Sequence, residues 1–200
     1  MHLQRIWTTQ LGEHTGQRVK LAGWLHRLRP LSQVTFLVLR DAQGLAQVVI
    51  EEPALAAELA KLPHESVLSV EGLVVAEPQA PRGVEIHSPS IEVLSESAAP
   101  PPFDLFRPTL TGQLPTILDH APLTLRHPRQ RAIFRLSSAT MEGFRAALRS
   151  QDFVEIQTPK IVASATEGGA NVFKLDYFGG PAYLAQSPQF YKQKIGRAHV

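Results

Sequence analysis

Short apolar runs that alternate with turn-forming residues fill residues 18–95, and this pattern constrains the fold more than any other feature. Runs of this length and alternation predict β-strands, and residues 41–44 predict a hairpin turn. Residues 53–62 have helical composition, with a proline suited to the first turn. The predicted strands are residues 19–25, 35–40, 46–50, 66–75, 83–86 and 90–94.

This layout predicts an all-β barrel in residues 1–98. About five strands with a helix before the fourth are typical of an OB-fold barrel, which binds single-stranded nucleic acid on the face of its second and third strands. We expect this segment to fold on its own, because such a barrel buries its own core.

The sequence character changes twice after the barrel. Residues 99–128 are dense in proline and glycine and predict a hinge. Residues 129–150 contain no proline and predict a helix that buries one face. A predicted strand at residues 153–156 ends at Pro159, and another lies around residues 182–184, so an α/β module is expected to begin here. The helical face consists of Ile133, Leu136, Thr140, Phe144 and Leu148.

Composition argues against a metal site and a membrane span. The chain has no cysteine and eight scattered histidines, so we expect no structural metal. No apolar run reaches the roughly 20 residues that cross a bilayer, and the first residues lack a secretory signal. We therefore expect a cytoplasmic protein without a membrane partner.

The last seven residues, 194–200, neither continue nor cap the preceding helical pattern. The codons ATC GGA AGA GCA CAC GTC would encode residues 195–200 and match the start of a common sequencing-library adapter, so we expect this tail to be non-native. Without Lys194 and Arg197, basic and acidic residues balance at 18 each. Net charge therefore gives no argument for nucleic-acid binding. Such an argument must come from where individual basic and aromatic residues lie along the chain.

The barrel contains one candidate nucleic-acid surface. Phe36 on the second strand could stack on a base, and Gln47 on the third could bind a base edge. Phe36 could equally belong to the core, and Arg27 with Arg29 could be an ordinary solvated pair. Other polar or aromatic residues near these strands are Trp24, His26 and Glu85.

A second candidate site lies near the end of the chain. Glu167 precedes Gly168 and Gly169, which would let a loop close over a ligand. If Ser187 and Pro188 open a helix, Gln189 and Lys192 share a face. An acid and a base would suit the two ends of a small zwitterion, although each residue taken singly could be an ordinary surface group.

Five segments carry a family resemblance by their sequence and order. They are AGW (22–24), FLVLRD (36–41), FVEIQTPKI (153–161), ATEGGA (165–170) and QSPQFYKQ (186–193). Together they resemble the class II aminoacyl-tRNA synthetases of the aspartyl subgroup (subclass b), specifically the archaeal-type aspartyl enzymes. The resemblance covers residues 1–193 and implies an incomplete class II catalytic domain, built on an antiparallel sheet, over residues 129–193.

The resemblance implies a role for each candidate residue. Pro159 would lie at the homodimer interface, and Glu167 would lie in a lid near the ammonium of bound L-aspartate. Three residues would line the aspartate pocket, with Lys192 facing the β-carboxylate. These pocket residues are Ser187, Gln189 and Lys192. The anticodon would contact Phe36, Gln47 and Glu85, with Arg27 and Arg29 near its backbone.

The resemblance also implies the reaction: aspartate is activated with ATP and Mg²⁺ and then transferred to tRNA-Asp. The arginines of motifs 2 and 3 that bind ATP would lie beyond Gln193, so no catalytic residue is assigned and we expect the chain alone to be inactive. The resemblance implies that His26 and Pro81 replace residues typical of enzymes that charge only tRNA-Asp, although a loop histidine and a turn proline could equally have no bearing on the anticodon. We therefore expect a non-discriminating enzyme that also charges tRNA-Asn, for a partner amidotransferase to convert.

Two alternatives remain at this stage. An asparaginyl-tRNA synthetase has the same architecture but usually has an acidic residue where this chain has Lys192. A non-catalytic OB-fold nucleic-acid-binding protein with a vestigial α/β segment would also fit the missing motifs.

Overall fold

The computed structural model describes residues 3–164 and 171–195. The chain divides into two compact units, residues 1–136 and 137–200. Glu167, proposed above for the lid, and residues 196–200 of the tail lie outside the described residues.

Five strands of the first unit close into a barrel in the order β1-β2-β3-β5-β4, which confirms the predicted OB-fold. All neighbours pair antiparallel except β3 and β5, which are parallel. Helix α1 (Pro53–Leu59) begins at a proline and precedes β4, as the sequence predicts. The strands are β1 (Arg18–Pro30), β2 (Thr35–Arg40), β3 (Leu45–Ile50), β4 (Val67–Ala76) and β5 (Val84–Ser95).

The barrel core follows from the two-residue alternation of the strands. Side chains at alternate positions point inward, so Leu37 and Leu39 of β2 are fully buried while Val38 between them faces outward. The same alternation on the other strands fills the interior with aliphatic side chains. The fully buried core residues of the barrel include Leu21, Leu25, Val48, Leu68, Val70, Val74 and Ile86.

The prediction of two separate strands at residues 83–86 and 90–94 is wrong, because both belong to β5. The pairing with β4 shifts register between Leu73↔His87 and Glu71↔Ser90. Ser88, with φ of 46°, lies in this irregularity, and Pro89 follows it. A bulge tolerates a proline that a regular ladder would exclude, so the strand continues through it.

The proline-rich segment after the barrel, predicted as a hinge, contains two short helices and several buried side chains. It contains helices α2 (Leu114–Asp119) and α3 (Ala121–Thr124), and Phe103, Leu105 and His127 are buried. Contacts place it in the same compact unit as the barrel. The domain limits at residues 98 and 129 stay predictions.

Helix α4 (Pro128–Arg149) occurs where the sequence predicts it, but the prediction that it buries its apolar face is wrong for the single chain. None of its residues is buried, and Ile133 and Phe144 are 56% and 62% exposed. An apolar stripe drives burial only where another element covers it. In this chain the stripe remains accessible to a partner.

The second unit contains a small antiparallel sheet in the order β6-β8-β7. The predicted strand at residues 153–156 is not formed, because no described strand lies beside it to supply hydrogen bonds. Glu155 instead forms an ion pair with Arg145 at 3.0 Å. The elements are β6 (Ile161–Val162), β7 (Lys174–Tyr177), β8 (Gly180–Leu184) and helix α5 (Gln189–Ile195).

Within the described residues, no helix is both long and apolar enough to span a membrane.

Candidate nucleic-acid interface

The outer face of the barrel brings together the residues that the sequence proposes for anticodon binding. Phe36 is directly opposite Arg29 in the β1–β2 ladder, and Arg27 is opposite Val38. Because Leu37 and Leu39 point into the core, Phe36 and Val38 point outward. Phe36 is half-buried, whereas both arginines are at least partly exposed. The face therefore offers an aromatic surface flanked by cations.

Gln47 and Glu85 extend this face across β3 and β5. Gln47 is opposite Val38 in the β2–β3 ladder, and its Nε2 donates a hydrogen bond to Glu85 Oε2 at 2.9 Å. The other carboxylate oxygen of Glu85 is 2.7 Å from His87 Nε2. Only 9% of the Glu85 side chain is exposed. Both of its oxygens are thus held in place by neighbours.

His87 is a residue of this face that the sequence reasoning missed. The alternation along β5 could have identified it, because Val84 and Ile86 are buried core residues and His87 follows them on the outer face. On this strand the family resemblance assigns a role only to Glu85. His87 positions the Glu85 carboxylate through the oxygen that Gln47 does not contact.

Arg27 is held by the segment that follows the barrel. Its guanidinium lies over the ring of Phe106, 4.6 Å from the ring centroid, and Phe106 also contacts His64 edge-on at 5.8 Å between centroids. A stacked guanidinium keeps its outward N–H groups available for an acceptor. The role of Arg27 at the anticodon backbone stays a prediction.

His26 belongs to a buried polar network and not to the open part of the face. It lies at the β-bulge between Leu25 and Arg27, with 7% of its surface exposed. Arg40 Nη1 is 2.9 Å from His26 Nδ1. Since arginine can only donate, His26 accepts this hydrogen bond and is neutral at that nitrogen.

Glu65 is the anion of this network. Its Oε2 accepts hydrogen bonds from Arg40 Nη2 at 2.7 Å and from Arg126 Nη1 at 2.8 Å. The Trp24 ring lies beside both guanidiniums, 5.3 Å from Arg40 and 4.8 Å from Arg126. The network therefore ties the segment after α3 to β1, β2 and the loop before β4.

Burial and the adjacent Arg40 guanidinium lower the pKa of His26 from 6.5 to about 4. Between pH 6.5 and 4 the unfolded chain binds a proton here that the folded chain does not. As the pH is lowered through that window, the contribution of His26 should decrease the free energy of unfolding by about 1.4 kcal/mol per pH unit, on the order of 3 kcal/mol in all. Above pH 6.5 this contribution should be constant. Denaturant melts across pH on the chain and on His26→Gln measure this. A pH-independent difference between the two profiles would contradict it.

Pro81, the other residue proposed for tRNA choice, is exposed. It begins the short 3-10 helix Pro81–Gly83 that leads directly into β5, the strand that carries Glu85. The roles of His26 and Pro81 in discrimination stay predictions.

The proposed aspartate-binding residues lie in the second unit. Helix α5 begins at Gln189, directly after Ser187 and Pro188, so the predicted helix opening is observed. Gln189 and Lys192 are exposed and three residues apart on this helix. Pro159 is exposed just before β6. The described residues contain no group of three His, Asp or Glu that could hold a metal ion.

Two family models match the chain. Residues 19–94 match an OB-fold nucleic acid binding domain, and residues 113–199 match the class II tRNA synthetases for D, K and N. A curated relative from Deinococcus radiodurans, named aspartate-tRNA(Asp/Asn) ligase, is 44% identical over 191 residues, covering 96% of this chain and 42% of the relative. One of the same name from Sulfurisphaera tokodaii is 43% identical over 182 residues, covering 90% of this chain and 42% of the relative.

Solved structures of asparaginyl- and aspartyl-tRNA synthetases also match this chain. Asparaginyl-tRNA synthetase from Pyrococcus horikoshii, complexed with asparaginyl-adenylate, matches with a TM-score of 0.82 at 32% identity, over 97% of this chain and 45% of that one. Aspartyl-tRNA synthetase from Entamoeba histolytica matches with a TM-score of 0.74 at 26% identity, over 96% and 43%. The chain spans less than half the length of these relatives. With an OB-fold barrel followed by the start of a class II catalytic domain, the chain belongs to the aspartyl group of class II aminoacyl-tRNA synthetases.

Proposed function

We propose that the chain is part of an aspartate-tRNA ligase that activates aspartate with ATP and transfers it to tRNA-Asp and tRNA-Asn. The observation that carries the proposal is the single barrel face that unites Phe36, Gln47 and Glu85. The enzyme would act in the cytoplasm. Asp-tRNA-Asn made in this way would be the substrate of an amidotransferase.

The barrel face would read the anticodon by two kinds of contact. Phe36 would stack on an unpaired base, because an aromatic ring accepts the π-face of any base. Glu85 and Gln47 would bind base edges, with Glu85 oriented by His87. Arg29, beside Phe36, would contact backbone phosphates.

The second unit would supply part of the aspartate pocket. Lys192 on α5 would pair with the β-carboxylate, while Ser187, Gln189 and Glu167 would bind the remaining polar groups. Asparagine presents a neutral amide there and would leave the lysine without its ionic partner, which gives selectivity for aspartate. Mg²⁺ would neutralise the phosphates of ATP when bound, but no described residue cluster fits it, so we assign it no ligand.

A homodimer would cover the exposed apolar side of the second unit. Phe144, Phe153 and Val154 are 62%, 58% and 83% exposed, and they line a shallow groove of about 170 Å³. Exposed apolar clusters of this kind are typical of protein interfaces. Pro159 would lie at the same interface.

Discrimination between the two tRNAs would be weak because of His26 and Pro81. His26 is turned inward to Arg40, and Pro81 has neither a charge nor a side-chain donor. Neither would penalise the wrong third anticodon base. The curated relatives named for both tRNAs support this reading.

Asparaginyl-tRNA synthetase is the second candidate, since the Pyrococcus horikoshii enzyme is among the similar structures. Lys192 favours aspartate over this candidate, because a cation suits a carboxylate and not an amide.

Phe36→Ala is expected to weaken binding of tRNA-Asp to the 200-residue chain by about 1–3 kcal/mol, the usual loss for one stacked base. This corresponds to roughly 5- to 150-fold in Kd. Phe178→Ala is the matched control, because Phe178 is 93% exposed in the second unit. Unchanged affinity of a folded Phe36→Ala variant would remove Phe36 from the site.

A further inference from the structure

A cavity lined by four arginines lies in the first unit, at the end of β2 and the start of α4. Its volume is about 200 Å³, and we call it the arginine cavity. No acidic residue lines it. The lining residues that carry charge are Arg40, Arg126, Arg131 and Arg135.

These four cations are poorly neutralised by the protein. Arg40 and Arg126 share one carboxylate, that of Glu65. Arg131 donates to the carbonyl of Ala42 at 2.6 Å, an acceptor without net charge. Among the described residues, Arg135 forms no ion pair with a carboxylate.

Asp41, the acid that follows Arg40 in the chain, has its oxygens engaged elsewhere. Its carboxylate accepts hydrogen bonds from the backbone N–H and hydroxyl of Thr8 and from the N–H groups of Gln43 and Gly44. It therefore fixes the β2–β3 turn and gives the arginines no hydrogen-bond partner. A cavity with excess positive charge, in which Arg131 donates only to a carbonyl and Arg135 has no carboxylate partner among the described residues, suits an oxyanion. The planar fork of arginine matches a phosphate particularly well.

The position of the cavity favours an RNA phosphate as that oxyanion. Arg40 is four residues beyond Phe36 on β2, about 13 Å along the strand at roughly 3.3 Å per residue. One tRNA could therefore reach both places at once. We propose that the arginine cavity binds a backbone phosphate of tRNA, at a site separate from the anticodon face. This inference rests on the proposed function.

Binding of tRNA-Asp to the 200-residue chain over a range of salt concentrations tests the site. The double variant Arg131→Gln/Arg135→Gln should bind at least about fivefold more weakly, and the slope of log K against log salt should become shallower by about 0.7–0.9 for each phosphate that the variant no longer neutralises. An unrelated tRNA should be affected equally, because phosphate contacts carry no sequence information. Arg129→Gln is the matched control, since Arg129 lies on the same helix but does not line the cavity.

The outcomes separate this site from the proposed function. If the unaltered chain does not bind tRNA, the proposed function fails. If it binds and the double variant behaves like Arg129→Gln, the arginine cavity is not a phosphate site. A third variant, Arg131→Lys/Arg135→Lys, keeps the charge but not the planar fork. Recovery of the salt slope supports the site, whatever part of the affinity returns, whereas a folded variant whose salt slope stays at that of the glutamine double variant overturns it. The site would also be overturned if inorganic phosphate bound in the arginine cavity while the double variant kept its full affinity for tRNA.

Discussion

Glu65→Gln is expected to lower the free energy of unfolding of the barrel unit by about 3–5 kcal/mol, the usual cost of removing one partner from a buried ion pair. Its side chain is 4% exposed and is the acceptor for both Arg40 and Arg126. Without the carboxylate, the Arg40 guanidinium, whose side chain is 5% exposed, would be a buried charge with no anion.

Urea denaturation of the 200-residue chain measures this effect. Glu58→Gln is the control, because Glu58 is exposed on α1 and should change stability by less than about 0.5 kcal/mol. A loss below about 1 kcal/mol for Glu65→Gln would show that water screens the network far more than its burial implies.

In a catalytically complete form of the enzyme, Lys192→Met should reduce kcat/KM for aspartate roughly 30- to several-thousand-fold. This factor corresponds to a loss of about 2–5 kcal/mol of transition-state stabilisation. The substitution removes the cation proposed for the β-carboxylate while keeping much of the length of the side chain. The KM for ATP should change little, since ATP makes no contact with this group in the proposed pocket.

Aspartate-dependent ATP–pyrophosphate exchange is the appropriate assay for that variant. Lys160→Met serves as control, because it removes an exposed lysine of the same unit that is not assigned to the pocket. Near-unaltered kcat/KM for aspartate in Lys192→Met would refute the pocket assignment and reopen the asparaginyl alternative.

The barrel could be predicted from sequence because its signal is local. Alternation at every second residue buries Leu37 and Leu39 and turns Phe36 outward, so the strands and the anticodon face follow from one pattern. The same rule missed the continuity of β5, because Ser88 and Pro89 look like a turn and a bulge depends on pairing with another strand.

The polar network could not be predicted in the same way. Glu65 lies in a loop outside any periodic pattern, and Arg126 is 61 residues further along in a segment that resembles a hinge. Their meeting depends on the fold. Two other predictions failed for a related reason. The apolar stripe of α4 is buried only where another element covers it, and no residue of α4 is buried. Residues 153–156 form a strand only where a neighbouring strand supplies hydrogen bonds.

The claim that the barrel reads an anticodon feature shared by two tRNAs is tested most directly by the Kd of the 200-residue chain for three transcripts. These are tRNA-Asp, tRNA-Asn and tRNA-Asp with all three anticodon bases replaced. We predict that the first two bind within about tenfold of each other and that the third binds at least about 30-fold more weakly, a difference of about 2 kcal/mol. Equal binding of all three transcripts, or a preference of several hundredfold for tRNA-Asp over tRNA-Asn, would contradict it.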